Sequence, residues 1–154
     1  MIRVADMNDL KRLCELYKEL HEYHVGVKPE KFRMPNSDGF FTDTMTDFLN
    51  SSEWITLVHE ENGIIDAYAI FKAFDSDTPD EMPRRVCYIT HFTVTESARR
   101  QGIGTELMNK VCELAKSVKC DVLRLGVNAL NTDAIAFDKA MGFEFATIAM
   151  EKKL

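Results

Sequence analysis

The residues best suited to chemistry lie in the run TESARRQGIGTELMNK, positions 95–110. Arg99, Arg100, Gln101, Gly102 and Gly104 stand directly ahead of an amphipathic helical pattern. They follow CYITHFTV (Cys87 to Val94), whose β-branched and aromatic residues read as a strand. A strand, a glycine turn and a helix in that order converge several backbone N–H groups and the positive end of a helix dipole on one point, which suits an anion. Gly102 and Gly104 carry no Cβ, so the amides from Arg100 through Ile103 to Thr105 can approach a pyrophosphate closely, and Arg99 and Arg100 can add charge. The strand also carries His91, whose ordinary titration range suits proton transfer.

Two common glycine turns are excluded. A P-loop requires Lys followed by Ser or Thr after its last glycine, whereas Gly104 is followed by Thr105, Glu106 and Leu107. A dinucleotide fingerprint requires a third glycine at 107 and an acidic residue ending the next strand, but position 107 is Leu and that strand ends in Gly126, Val127 and Asn128. The plain alternative is a helix entered through glycine for packing alone.

The turn has further company. Arg99-x-x-Gly102-x-Gly104, with Val94 five residues before Arg99, resembles the acetyl-CoA motif of the GNAT N-acetyltransferase superfamily. The resemblance continues in Asn131-x-x-Ala134-x-x-Phe137 and ends in Met141-Gly142-Phe143, similar to that family's C-terminal N-x-x-A…GF motif. It implies one domain over residues 1–154 with the GNAT acyl-CoA N-acyltransferase fold, an α/β architecture with a mixed central β-sheet flanked by about four helices. Acetyl-CoA is the implied cosubstrate, with an amine as acceptor. By the same resemblance the pyrophosphate lies on the turn formed by Arg99, Arg100, Gln101, Gly102, Ile103, Gly104 and Thr105. The pantetheine arm lies between the strands ending at Val94 and Val127, bound by Phe92, Thr93 and Val94 in the manner of an added strand. Asn131 and Phe137 contact it from the C-terminal helix, although Asn131 suits a plain helix N-cap equally well.

In this superfamily an amine attacks the acetyl thioester directly within a ternary complex. A lysine-like amine has a pKa near ~10.4, so roughly one molecule in a thousand is nucleophilic at neutral pH. Many members place a Glu on the central strand to take the proton; here Thr90 and His91 occupy that stretch, and His91 is the first candidate for general base, against a histidine that merely packs on the sheet. Its replacement by Ala or Gln is expected to flatten the alkaline rise of the rate. Many members also protonate the departing thiolate with a Tyr one turn before the GF pair, where this chain has Asp138. A carboxyl of ordinary pKa, about 3.9, is ionised at pH 7 and repels a thiolate. Asp138 therefore points away, or has a raised pKa, or the thiolate leaves unassisted; Tyr68 and Tyr88 are the central phenols, and neither can be placed from sequence. Direct N-acetyl transfer is the leading reading. A non-catalytic acyl-CoA-binding sensor is the alternative, and an acyltransferase for another acyl group or an oxygen nucleophile is the third.

The elements that must position these residues follow from periodicity. Ile2–Ala5 reads as a strand, Asp6 as the cap of a helix continuing to about Tyr23, and His24–Gly39 as a long loop suited to substrate selection. A helix covers Phe40–Asn50. Trp54–His59 and Ile64–Ala73 form a hairpin around Asn62-Gly63, and Phe74–Pro83 connects to the strand Val86–Val94. A helix over Gly102–Val118, a strand over Asp121–Val127, a helix over Thr132–Met141 stopped by Gly142, and a closing strand over Phe143–Glu151 complete the order.

With 154 residues, 45% apolar and 29% charged, the chain fits one globular domain. A net charge of −6 argues against a nucleic-acid partner, no run is long and apolar enough for a membrane span, and the N-terminus lacks signal-peptide character. Cys14, Cys87, Cys112 and Cys120 fall singly, as structural thiols of a reducing cytoplasm do. His21 and His24 lack a third partner at metal-binding spacing, so no metal site is expected. Asp75, Asp77, Asp80 and Glu81 are candidates for attracting a cationic acceptor. A homodimer stays open, since an exposed terminal strand offers an edge for pairing.

Overall fold

The computed structural model describes residues 1–37 and 39–154. Strands β1 (Ile2–Val4), β2 (Ile55–Glu61), β3 (Ile64–Ser76), β4 (Arg84–Val94) and β5 (Val122–Leu125) form one sheet in that order. The first three pairings are antiparallel and β4–β5 is parallel. A parallel pair needs a crossover, here α3 (Ile103–Ser117). The remaining helices are α1 (Leu10–Val27), α2 (Gly39–Asn50) and α4 (Thr132–Ala140).

Local chemistry explains the joints. Asn62 and Gly63 both take left-handed φ (52° and 78°), the pair of conformations that lets a tight turn follow the strand twist between β2 and β3. Ahead of α1, Asp6 accepts from the Asn8 amide at 2.7 Å while Asp9 accepts from the Asp6 amide at 2.9 Å, a reciprocal cap. Arg3 then ties Asp9 (2.7 Å) to Glu60 on β2 (2.6 Å).

The sheet is covered on both faces. Leu57, Ala67, Ala69, Phe71, Cys87 and Ile89 pack under Leu107, Met108 and Val111 of α3, and α4 adds Phe137 and Met141 at that margin. On the other face Val58, Tyr68 and Ile70 meet Leu13 and Leu16 of α1 and Met45 of α2.

Two expectations are corrected. α1 continues past Tyr23 to Val27, where the Lys28 amide still reaches the His24 carbonyl at 3.0 Å; nothing breaks the helix before Pro29. The expected long loop therefore shrinks to residues 28–37, with its Asp38 outside the described residues. The closing strand over Phe143–Glu151 is absent: none of the residues from 143 to 154 pairs with the sheet, so β5 stays an edge. Alternation supplies a strand-competent segment but no partner for its backbone.

Candidate active site

β4 carries one extra residue. Ile70 of β3 faces His91, but Phe71 faces Ile89, so Thr90 is a bulge. The slip changes which face each later side chain meets. Cys87 and Ile89 lie on the α3 face before the bulge, and Phe92 and Val94 return to that face after it. His91 instead meets Tyr17, Phe48 and Tyr68 on the α1–α2 face. The same point ends the pairing with β5, whose last partner is Ile89–Leu125. Beyond it β4 runs on to Val94 with no strand paired on that side among the described residues, so the backbone edge of Phe92, Thr93 and Val94 lies open.

The glycine turn lies between this open edge and the start of α3. Arg100 (φ 61°) and Gly102 (φ 87°) are both left-handed, and α3 begins immediately afterwards. Among the described residues, no protein group accepts a hydrogen bond from the N–H groups of Arg100, Gln101, Gly102, Ile103, Gly104 or Thr105; the first amide to be satisfied is that of Glu106, by the Gly102 carbonyl at 3.0 Å. Six donors at a helix mouth make an anion cradle. Arg99 Nε donates to the Val94 carbonyl at 3.1 Å and Gln101 Nε2 to the Ser97 carbonyl at 2.9 Å, so these two side chains brace the turn, while Arg100 is exposed. A Cβ on Gly104 would lie 3.4 Å from the Phe137 ring and 3.6 Å from Val94, placing Gly104 at the seam between β4 and α4. Phe92 and Phe137 stack across that seam with ring centres 5.8 Å apart.

On the other face His91 sits 4.6 Å from the Tyr17 ring and 5.5 Å from Phe48. Burial first, then the nearby His24, push its pKa down to about 4. The expectation that His91 titrates near neutrality is thereby corrected. Its Nδ1 lies 3.1 Å from the hydroxyl of Tyr68, a residue with no exposed surface. Burial also holds the Tyr68 hydroxyl well above its usual range, so it keeps its proton, and among the described residues His91 Nδ1 is its hydrogen-bond partner. With the Tyr68 hydroxyl donating to Nδ1, the imidazole proton would reside on Nε2 and His91 would be a hydrogen-bond donor on that side.

The chain matches the Acetyltransferase (GNAT) family over residues 10–143. The chain belongs to that family. It is an N-acetyltransferase, in keeping with a thialysine N-epsilon-acetyltransferase of Bos taurus that is 30% identical over 155 residues, covering 97% of this chain and 86% of the bovine one. The fold agrees with a tetramutant of the BH1408 protein from Bacillus halodurans, with TM-score 0.91 at 24% identity over 100% of this chain and 99% of that one. It agrees also with the aminoglycoside N-acetyltransferase AAC(6')-Iy bound to a bisubstrate analogue of CoA and acetylneamine, with TM-score 0.77 at 16% identity over 100% of this chain and 97% of that one.

Within the acetyltransferase, the remaining candidates fall unequally. Asn131 caps α4, its Oδ1 accepting from the Ala134 amide at 3.2 Å. The same oxygen accepts from the Tyr23 hydroxyl at 3.3 Å, a link across 108 residues that brings the end of α1 to the start of α4. Sequence reasoning missed Tyr23, because no local pattern announces a contact at that separation. Asp138 is half-buried, and loss of hydration raises its pKa above the ordinary carboxyl value. Tyr88 lies beside Trp54, with ring centres 6.4 Å apart. Asp75 pairs with Arg85 at 2.9 Å at the far end of β4, and Glu81 approaches Arg84 at 4.0 Å, so half of the acidic cluster is neutralised away from the open edge. His21 Nε2 contacts the Arg33 carbonyl at 2.8 Å, while His24 stacks on Phe32 at 5.4 Å. No helix among the described residues is long and apolar enough to cross a membrane.

Proposed function

We propose that residues 1–154 act as one domain that transfers an acetyl group from acetyl-CoA directly to a primary amine, in the cytoplasm. The observation that carries this reading is the ring of six unpaired amides from Arg100 to Thr105 beside the backbone edge that stays open after the Thr90 bulge. Those amides, with Arg100, suit the pyrophosphate; Arg99 and Gln101 hold the turn's shape. Phe92, Thr93 and Val94 offer the backbone edge for the pantetheine arm, and Phe137 with Asn131 forms the opposite wall. Acetyl-CoA supplies the activated acyl group. The acceptor class favoured by the bovine relative's name is an amine at the end of a short flexible chain, and the aromatic wall of Tyr17, Phe48 and His91 supports an aliphatic stem carrying a cation.

Magnitudes favour a positioning role for His91. Moving a proton from an ammonium of pKa ~10.4 to an imidazole at about 4 is uphill by about 9 kcal/mol, against about 5 kcal/mol for releasing it to water at pH 7. His91 is therefore a donor that positions the acceptor or the acyl oxygen through Nε2, and the amine loses its proton to solvent.

Initial rates with acetyl-CoA and a panel of primary amines, followed as free thiol from pH 6 to pH 9, test both parts. Thiol release should exceed hydrolysis, and kcat/KM should rise about tenfold per pH unit below the amine's pKa in the natural protein and in His91→Gln alike. The variant should be slower by about tenfold, the value of one hydrogen bond. A slope lost in the variant would restore His91 as the base. Binding of acetyl-CoA with no amine-dependent thiol would favour the sensor reading.

A further inference from the structure

We infer that His59 is a positioning residue for the coenzyme: it engages the carboxylate of Glu106, in the first turn of α3, and so keeps a neighbouring negative charge from opposing the diphosphate. The inference rests on the reading above, in which the diphosphate lies on the turn from Arg100 to Thr105.

A second bulge builds the spot. His59 of β2 faces Ala67 of β3, but Glu60 faces Ile65, so Asp66 is the extra residue. Free of the β2 ladder, Asp66 makes two bonds of its own. Its carbonyl accepts from the Thr95 amide at 2.8 Å, where β4 gives way to the turn, and its carboxylate meets His59 Nδ1 at 2.7 Å. His59 is only 5% exposed, and its Nε2 lies 4.0 Å from Glu106 Oε2. The His59–Asp66 pair therefore touches the chain on both sides of the turn, at Thr95 before it and at Glu106 after it.

Ring chemistry gives the pair its use. A carboxylate oxygen stands opposite each nitrogen: Asp66 of β3 takes the Nδ1 proton, and a ring also protonated on Nε2 presents a positive charge to Glu106 of α3. On β2 itself, the adjacent Glu60 is already held by Arg3 at 2.6 Å. Glu106 matters through its place. Four residues at ~1.5 Å each set it roughly 6 Å along the α3 axis from Gly102, within the ~8 Å over which physiological salt screens a charge. An uncompensated carboxylate there would oppose an anion at the helix mouth, where the peptide dipoles favour one. Its side chain is 59% exposed, so the contact with His59 is what draws it towards β2.

Calorimetric titration with acetyl-CoA and with acetyl-pantetheine, which keeps the thioester arm but lacks the diphosphate, tests the assignment. The natural protein should bind acetyl-CoA the more tightly; equal binding would take the diphosphate off the turn and this inference with it. His59→Asn keeps an amide where Nδ1 meets Asp66 but no longer reaches Glu106. It should weaken acetyl-CoA about tenfold, the order expected of one uncompensated charge at this range, and leave acetyl-pantetheine unchanged. Adding Glu106→Gln should restore most of that loss, which a histidine that only fills the core would not allow. Glu106→Gln alone, an exposed change, should stay within about twofold, and it decides the matter if His59→Asn does not fold. A gain of about tenfold in that single variant would reveal an uncompensated carboxylate and overturn the proposal. Three results with His59→Asn overturn it while leaving the diphosphate on the turn: no loss, a loss shared equally by both ligands, or a loss that persists in the double variant.

Discussion

Among the described residues, those up to Ala115 supply every buried side chain, with Tyr68, Val58, Leu107 and Met108 at 0% exposure, whereas those from 116 to 154 supply none. The proposed coenzyme site draws one wall from each part. β4 and the turn before α3 rest on a core packed from both faces of the sheet; β5 and α4 lean on its margin through partly buried Leu123, Leu125, Phe137 and Met141. The wall with the unpaired amides is therefore fixed before any ligand arrives, while the opposite wall draws on contacts from outside itself. Anion recognition suits the fixed side, since donors that need no reordering bind without that entropic cost.

The contrast breaks most visibly under core truncation. Leu107→Ala empties a fully buried position of α3 and should cost about 2–5 kcal/mol. Ile148→Ala, at 70% exposure, should stay within about 0.5 kcal/mol in dilute solution. Urea denaturation in dilute solution checks both. An equal loss from both at high dilution would mean that the C-terminal part packs as tightly as the rest.

Acid sharpens it next. His91 has a folded pKa of about 4 against about 6.5 in an unfolded chain. Between those values the unfolded state binds one more proton than the folded one, so stability rises with pH there and is complete above pH 6.5. Lowering the pH from about 6.5 to about 4 should remove about 3 kcal/mol through this residue, and His91→Gln should lose that part of the slope. Asp9, held below its usual range first by its hydrogen bonds to Arg3, acts in a lower window: its contribution is present above the carboxylate range and fades as pH falls through it. Denaturation midpoints at closely spaced pH values separate the two, and an unchanged slope in the variant would show His91 to be hydrated.

What the sequence made legible is what short-range chemistry decides. Asn62-Gly63, the Asp6 and Asn131 caps, Gly142 and the turn around Gly102 each act within a few residues, and each is where the pattern puts it. The Thr90 bulge was illegible because CYITHFTV is apolar on both faces, so a slip by one residue leaves no mark on the alternation. His91 thus shows its place on the strand but neither the face it meets nor the burial that lowers its pKa. The extension of α1 hides in the same way: the prolines, glycines and polar residues of His24–Gly39 read together as loop, although the isolated Gly26 merely weakens a helix. The failed closing strand shows a different limit, since the identity of its partner is no property of the segment itself.

The smallest effect concerns the two glycines of the turn, which the motif treats alike and the structure does not. Gly102 has φ of 87° with open space around a built Cβ, so Gly102→Ala should cost about 1–2 kcal/mol through backbone strain while leaving the cradle clear. Gly104 lies outside the left-handed region, and its Cβ would meet Phe137 at 3.4 Å and Val94 at 3.6 Å, ordinary contacts. Gly104→Ala should therefore be nearly neutral for stability but place a methyl group at the seam beside the unpaired amides. Thermal denaturation with and without acetyl-CoA distinguishes the two: the first variant should begin lower and retain its shift on adding the coenzyme, and the second should begin unchanged and lose most of that shift. The reverse assignment would mean that the coenzyme approaches the turn from the Gly102 side, leaving the Phe137 seam to packing alone.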